Sequence, residues 1–466
     1  LIFERAYTLL RKIISSRVNS KTEFSDYYQY SIPWIFEEIL IYLRNDDKEE
    51  ILLKKQFRES LKQLIIHYIL VFYNKVQLLF AKQSDIVFIT SHPDHTAQYF
   101  ELETELKEKD LTCVYLTNKL KIYKELIKKK RRVYFLDNAN KNNLNSFYFD
   151  QPDILAFENA IDIHINKHKR YFKYLENQID FLISRLSPKV LITANELLVP
   201  HRVAVIAFKN KKLLTLCLQH GSITSSYLLY KEMLVDHFLV YGKISKEILV
   251  KMGFPIEKIV IVGSLLYKNN ITHYEPSTQK FLNTNKKNVF IALSGPGNST
   301  SLKHHLNQIH LINILAQKFT NLHFFIKLHP KDDIRYYSSL IGDNINVVSH
   351  TNFVNQQGSF HDVITRSNLM VTSVSASMYD AFKLGIPVCV IDLENEYIHS
   401  DVVQYNLVDY CTDYDAIHNV LNNLSNDSTT NNLKIANAKN YITDFYNLNV
   451  NETPSNSIVN LIKEFT

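Results

Sequence analysis

Four short stretches of this chain combine residue types that suit chemistry on a phosphorylated substrate. The first is Gln219-His220-Gly221-Ser222, directly after the apolar run Leu213 to Leu218. A histidine at a strand exit, with a glycine beside it, is open to a ligand. Neutral imidazole accepts a proton from a hydroxyl near pH 7, so His220 is a candidate general base. The second is Leu293-Ser294-Gly295-Pro296-Gly297-Asn298-Ser299-Thr300, between a strand and a helix. Small residues and hydroxyls at a helix start cradle phosphate with backbone N–H groups, which singles out Ser294 and Gly295. No Gly-Lys-Ser/Thr follows, so this is not a P-loop. The third is Lys327-Leu328-His329-Pro330-Lys331-Asp332 after Phe324-Phe325-Ile326. Pro330 fixes the backbone past His329, Lys327 and Lys331 raise the local potential, and His329 can donate to a phosphate oxygen as charge develops on it. The fourth is Thr372-Ser373-Val374-Ser375-Ala376-Ser377, with Gly385-Ile386-Pro387 beyond it. Ser373, Ser375 and Ser377 supply donors for phosphate or ribose at a helix N-terminus. For each stretch the competing expectation is an ordinary capped turn.

All four stretches follow β-rich runs, and the elements that must position them alternate. Asp85 to Thr90, Thr112 to Leu116, Arg132 to Leu136, Val190 to Ala194 and Leu213 to Leu218 read as strands, with helices between them, among them Ala97 to Lys109 and Leu120 to Lys130. The second half repeats the theme at His237 to Tyr241, Ile259 to Val262, Asn288 to Leu293, His323 to Lys327, Ile345 to Val348, Leu369 to Thr372 and Val388 to Ile391. Strand–helix alternation predicts parallel sheets of βαβ units. The expected organisation is a helical N-terminal extension over 1–83, a Rossmann-like acceptor domain over 84–235, a Rossmann-like nucleotide-donor domain over 236–430, and a C-terminal helix over 431–466 that crosses back to the first domain. A polar hinge is expected around Lys268 to Lys287. Open α/β sheets bind ligands beyond the carboxyl ends of their strands, so the site is expected in the cleft between the domains.

Composition narrows the classes. Apolar residues make up 46% of the 466, enough for packed cores and far from a disordered chain. The net charge of +6 suits an anionic donor or a membrane surface without requiring either. Nine glycines all lie between Gly221 and Gly385, which points to the second half as the phosphate-handling half. Cys113, Cys217, Cys389 and Cys411 show no metal spacing and suggest a reduced compartment. The apolar stretch Leu64 to Phe80 is interrupted by His67, Asn74 and Lys75 and reads as a buried or interfacial helix, not a membrane span. Between Lys119 and Arg132 stand eight basic residues and one acid, Glu125. Interleaved aromatics are missing there apart from Tyr123, which argues against nucleic acid and suggests contact with anionic lipid.

A His-Gly closing the first domain, a His-Pro after a central strand of the second, and a Thr-Ser-x-Ser run followed by Gly-x-Pro together resemble GT-B-fold transferases of bacterial surface polymers. Over roughly 85 to 395 the chain is similar to the CDP-glycerol glycerophosphotransferases and to capsule transferases using CMP-sugars, such as sialyl-, polysialyl- and Kdo-transferases. The resemblance implies two facing Rossmann-like domains and no bound metal or cofactor beyond a nucleotide-sugar substrate. It implies His220 as base, His329 on the donor phosphate, and Ser373, Ser375 and Ser377 near phosphate and ribose. The glycerophosphate enzymes usually carry Trp-His-Gly-Thr-Pro where this chain has Gln-His-Gly-Ser-Ile. The Asp/Glu-Asp-Gly base motif of sialyltransferases is missing, and the nearest carboxylates at first-domain strand ends are Asp94 and Glu196. The expected activity is sugar transfer, from a CMP-activated donor, to a surface-polysaccharide or lipid-linked glycan acceptor. Polyol-phosphate transfer from CDP-glycerol and sugar-nucleotide epimerisation are the alternatives. The expected location is cytoplasmic, peripheral on the inner face of the cytoplasmic membrane.

Overall fold

The apolar runs of the sequence form two separate sheets, and every strand pair in both is parallel. The computed structural model describes residues 2–18, 29–32, 35–36, 39, 69–70, 73–74, 76–136, 154–223, 228–266, 282–283, 285–296, 300–329, 332–355, 360–375, 377–398, 400–426, 432–448 and 452–465. The chain divides into one unit of Leu1–Ile223, Tyr227–Lys268 and Tyr446–Thr466, and a second of Thr224–Ser226 and Asn269–Phe445.

The first unit runs α1 (Ile2–Val18), β1 (Ile86–Thr90), α2 (Pro93–Glu108), β2 (Cys113–Thr117), α3 (Leu120–Lys128), β3 (Val133–Phe135), α4 (Ile154–Leu186), β4 (Val190–Thr193), α5 (Val199–Asn210), β5 (Leu214–Leu218), β6 (His237–Val240), α6 (Lys243–Met252) and β7 (Ile259–Ile261). Its seven strands lie in the order β3-β2-β1-β4-β5-β6-β7. Strands covered on both faces need apolar side chains on both, and β1, Ile-Val-Phe-Ile-Thr, is buried along its whole length. Register is set by Ile86 opposite Cys113 on one side and Val190 on the other. Phe88, Tyr99, Leu102, Tyr115 and Ile192 centre the core.

The second unit runs β8 (Lys287–Ala292), α7 (Leu302–Lys318), β9 (Leu322–Lys327), β10 (Ile345–Val348), α8 (His350–Asn355), α9 (Phe360–Thr365), β11 (Leu369–Thr372), α10 (Ser377–Leu384), β12 (Val388–Ile391), α11 (Asp401–Gln404), β13 (Asp409–Cys411), α12 (Tyr414–Ser425) and α13 (Asn432–Tyr446). Its strand order is β10-β9-β8-β11-β12-β13. Val289, Ile291, Phe324, Ile326, Val371 and Cys389 form its core with the apolar face of α7. In each sheet the strand order reverses once, between β1 and β4 and between β8 and β11. Such a reversal opens a crevice at the carboxyl ends of the two strands.

Two expectations change. A boundary at 235 would cut the first sheet, because β6 pairs with β5 and β7 with β6, so the first unit continues to Lys268. Most of the expected hinge lies outside the described residues. The C-terminal 431–466 region is two helices. α13 belongs to the second unit as far as Phe445. The last helix, α14 (Pro454–Phe465), packs on α2 of the first and buries Ile458, Val459 and Ile462 there. Of the N-terminal extension, α1 is anchored by Tyr7 Oη donating to Glu232 at 2.8 Å, and much of 19–68 lies outside the described residues. No helix among the described residues is long and apolar enough to cross a membrane.

Candidate functional site

At the reversal point of the first sheet, β1 exits through Ser91 and β4 through Thr193 and Ala194. His201, in the first turn of α5, joins them: its Nδ1 lies 2.7 Å from Thr193 Oγ1 and its Nε2 2.8 Å from Ser91 Oγ. Ser91 Oγ also reaches Asn118 Oδ1 at 2.8 Å, past the end of β2. One fully buried imidazole thus ties three strand exits together. Burial first, then the nearby His95 and His220, holds His201 well below the usual imidazole range.

His220 stands beside this brace. The preceding Gln219 is buried and makes the turn, its Nε2 donating to the Gly221 carbonyl at 2.8 Å and its Oε1 accepting from the Tyr241 amide at 2.8 Å. His220 itself reaches solvent although protein surrounds most of the ring. The ring is hydrogen-bonded to the Ala194 carbonyl, which favours its protonated form. The ring meets His95 edge-on at 4.9 Å between centroids, and His95 in turn lies 5.6 Å from His92. Burial, helped by His220 and His92, pushes His95 down to about 3. Burial also lowers His220, against the raising effect of the Ala194 hydrogen bond. His220 is therefore an imidazole kept neutral near pH 7. A Cβ added at Gly221 would meet nothing within 4 Å, so the protein itself does not require glycine there.

The two carboxylates expected as alternative bases sit elsewhere. Glu196 is fully buried. Its Oε1 accepts from Arg202 Nη1 at 2.9 Å and the Leu234 amide at 2.8 Å, and its Oε2 from Leu234 and Val235 at 2.9 and 3.1 Å. Arg202, equally buried, spends its remaining donors on the Gln29 and Glu232 carbonyls at 2.6 and 2.8 Å. Burial pushes the Glu196 carboxyl up, and Arg202 with the two amides opposes it. The carboxylate holds the chain entering β6, and a substrate cannot reach it. Asp94 is exposed in the first turn of α2, 3.3 Å from His92 Nδ1, while His92 caps the helix.

At the reversal point of the second sheet, Thr372 Oγ1 donates to the Ala292 carbonyl at 2.5 Å, binding β11 to β8. Ser294 is half-buried just past β8. Gly295 adopts φ +70°, and a Cβ there would lie 3.4 Å from Asp332 Cγ. Both the left-handed backbone and the close approach explain the glycine. Ser373 is buried, with its Oγ 3.4 Å from Gln308 Nε2. Ser375 and Ser377 share a 3.0 Å hydroxyl contact, and Ser375 Oγ accepts from the Ser377 amide at the start of α10. His329 is half-buried and its carbonyl accepts from the Asp332 amide at 2.9 Å. Lys327 lies 5.6 Å from the centroids of both Phe353 and Phe360, and burial lowers its ammonium pKa. Pro330 lies outside the described residues, as do 297–299.

No protein-family model matches the chain. A curated relative, a bifunctional glycosyltransferase/methyltransferase of Fusobacterium nucleatum subsp. nucleatum, is 23% identical over 209 residues, covering 41% of this chain and 31% of the relative. The match thus spans about a third of that protein's length. Among solved structures, the S. aureus MnaA–UDP co-structure aligns with a TM-score of 0.54 at 14% identity, over 82% of this chain and 97% of that one. A UDP-GlcNAc 2-epimerase of Neisseria meningitidis bound to UDP-GlcNAc aligns with a TM-score of 0.50 at 16% identity, over 82% and 100%. The likeness to these structures is one of fold: two parallel α/β units of GT-B type.

Within that fold, the second unit carries a buried network that the motifs alone did not reveal. His305 Nε2 lies 3.2 Å from Asp332 Oδ1, and Tyr337 Oη donates to Asp332 Oδ2 at 2.6 Å. His304 Nε2 accepts from the Leu393 amide at 3.1 Å, and its Nδ1 lies 3.1 Å from Glu396 Oε2. Asp392 accepts from the Glu396 and Tyr397 amides at 2.8 and 2.7 Å. The first turn of α7 thereby fixes the exits of β8, β9 and β12 together. Paired histidines in the first turn after the Ser294-Gly295 stretch were the available signal. Among the described residues no group of three His, Cys, Asp or Glu side chains is placed to hold a metal ion.

Proposed function

We propose that this chain is a glycosyltransferase that moves a sugar from a CMP-activated donor to a surface-polysaccharide or lipid-linked glycan acceptor at the inner face of the cytoplasmic membrane. The observation that carries the reading is His220: a solvent-reaching imidazole at the exit of β5, beside the sheet reversal point, hydrogen-bonded to the Ala194 carbonyl and with its pKa lowered by burial. His220 takes the proton of the acceptor hydroxyl while that oxygen bonds to the anomeric carbon of the donor. The bond from that carbon to the nucleotide phosphate breaks, and the phosphate leaves with the electron pair. His329 and the amides at the starts of α7 and α10 meet the charge that develops on it. The named activity of the Fusobacterium relative and the nucleotide bound in the two solved structures support a nucleotide-sugar substrate.

Thermal unfolding with CMP, CDP, UMP, UDP and GDP tests the donor. A ligand at a hundred times its Kd adds about 2.7 kcal/mol of stability. Cytidine nucleotides are expected to raise the midpoint most, and a clear preference for UDP or GDP overturns the cytidine assignment. One observation favours a second reading: the fold likeness to the Neisseria epimerase spans that enzyme's whole length. Conversion of UDP-GlcNAc to its 2-epimer without any acceptor would establish epimerisation instead.

His329→Ala is expected to lower turnover about ten- to a thousand-fold, as loss of one charge-stabilising donor does. Unchanged steady-state turnover would return His329 to a turn-forming role.

A further inference from the structure

The start of α7 already holds a carboxylate of the chain's own. Ser301 caps this helix: its Oγ accepts from the His304 amide at 3.2 Å, and its own amide donates to Glu396 Oε1 and Oε2 at 3.3 and 3.2 Å. Glu396 belongs to the segment after β12, which Asp392 folds into a turn by accepting from the Glu396 and Tyr397 amides. Further bonds fasten that segment to the helix start. Tyr397 Oη meets Thr300 Oγ1, and Glu394 accepts from Lys303 Nζ at 3.1 Å and from Asn307 Nδ2 at 3.0 Å. The Leu393 amide donates to His304 Nε2, so the proton of the neutral ring sits on Nδ1, 3.1 Å from Glu396 Oε2.

This arrangement bears on the donor. A helix N-terminus carries roughly half a positive charge and offers it to an anion. Glu396 brings a full negative charge to the same turn. Burial works against its ionisation, but hydrogen bonds from His304 and Ser301 outweigh burial and hold the carboxyl below its usual range. Lys303, the cation of that turn, is met by Glu394. The start of α7 is therefore a poor place for further negative charge. It also adjoins an expected donor contact: Tyr397, next to Glu396, is hydrogen-bonded both to Thr300 and to Ser373 at the exit of β11.

We propose that Glu396 sets the number of phosphates in the donor. The second unit takes a sugar activated by a nucleoside monophosphate and disfavours a diphosphate, whose second phosphate brings its charge against Glu396. The proposal rests on the transfer reading above. It separates a CMP-activated sugar from CDP-glycerol, which the sequence leaves as an alternative.

The test is the affinity of the full chain for CMP, CDP, UMP and UDP, measured by titration calorimetry in wild type, Glu396→Gln and Glu396→Asp. The readout is the ratio of diphosphate Kd to monophosphate Kd for one base. Wild type is expected to bind the monophosphate about tenfold more tightly, the effect of one like charge across a partly screened site. Glu396→Gln keeps an acceptor for the Ser301 amide but no charge, and is expected to bring the ratio within about twofold of unity. Glu396→Asp keeps the charge and is expected to retain most of the preference. A wild type without preference overturns the proposal. So does a preference that Glu396→Gln keeps, which would leave Glu396 as a cap of α7. Loss of the preference in both variants overturns it too, since shape and not charge would then be at work. The ratio compares two ligands on one folded protein, so a loss of stability in a variant cancels out of it. Failure of all four nucleotides to bind overturns the transfer reading and this proposal with it. A preference for uridine overturns the cytidine assignment alone, because the ratio is then read on UMP and UDP.

Discussion

His220→Ala is expected to lower sugar transfer by about a hundred- to ten-thousand-fold, the range for losing a positioned general base. The expectation rests on how the ring is held. The ring is hydrogen-bonded to the Ala194 carbonyl, which orients it, and it reaches solvent, where an acceptor hydroxyl can meet it. The pH dependence separates a base from a mere turn former. Burial places the His220 imidazole below its ordinary value of 6.5, so the ring stays deprotonated, and active, as pH falls through that value. The acid limb of kcat/KM in wild type should therefore lie below 6.5. In His220→Gln the limb should disappear along with most of the rate. Near-normal turnover in His220→Ala, with the acid limb intact, would remove His220 from the chemistry and leave it as part of the His95–His201 brace.

Much of the fold was legible because parallel strands buried on both faces read as uninterrupted apolar runs, and the loops after them carry the small and polar residues. The runs Asp85 to Thr90 and Leu369 to Thr372 became β1 and β11, and the four motifs follow β5, β8, β9 and β11. β13 escaped notice because it is only Asp409-Tyr410-Cys411, held by its pairing with β12 and not by a run of its own. The boundary between the units was misplaced for a related reason: β6 and β7 look like any other strands, and only pairing tells which sheet they join. In the site, local chemistry made His220 visible, whereas its neighbours needed the fold. His201 and His95 lie on helices with nothing in their spacing to link them to residue 220. The pairing of His304 with Glu396 joins residues far apart in the chain. The same blindness made Glu196 look like a base, since the arginine that neutralises it is apparent only once Arg202 is seen buried against it.

Glu196→Gln is the counterpart experiment, and its expected effect is on stability. Removing one member of a buried ion pair leaves the other charge without compensation, at a cost of about 3–5 kcal/mol. Arg202 has no exposure to water, and its other donors are already bound to carbonyls, so it has no way to recover the lost partner. Glutamine also supplies one acceptor oxygen where Glu196 uses two, so an amide of Leu234 or Val235 loses its acceptor. The unfolding midpoint of the first unit should fall accordingly in denaturant, followed by a probe in that unit because a two-unit chain need not unfold in one step. Replacing both partners with apolar residues of similar size, Glu196→Leu with Arg202→Met, should restore much of the loss, since neither charge is then buried. Turnover per folded molecule should stay near wild type in each variant at temperatures where it is folded. A wild-type midpoint together with abolished turnover in Glu196→Gln would mean that the carboxylate, released from Arg202 during the reaction, is the base after all.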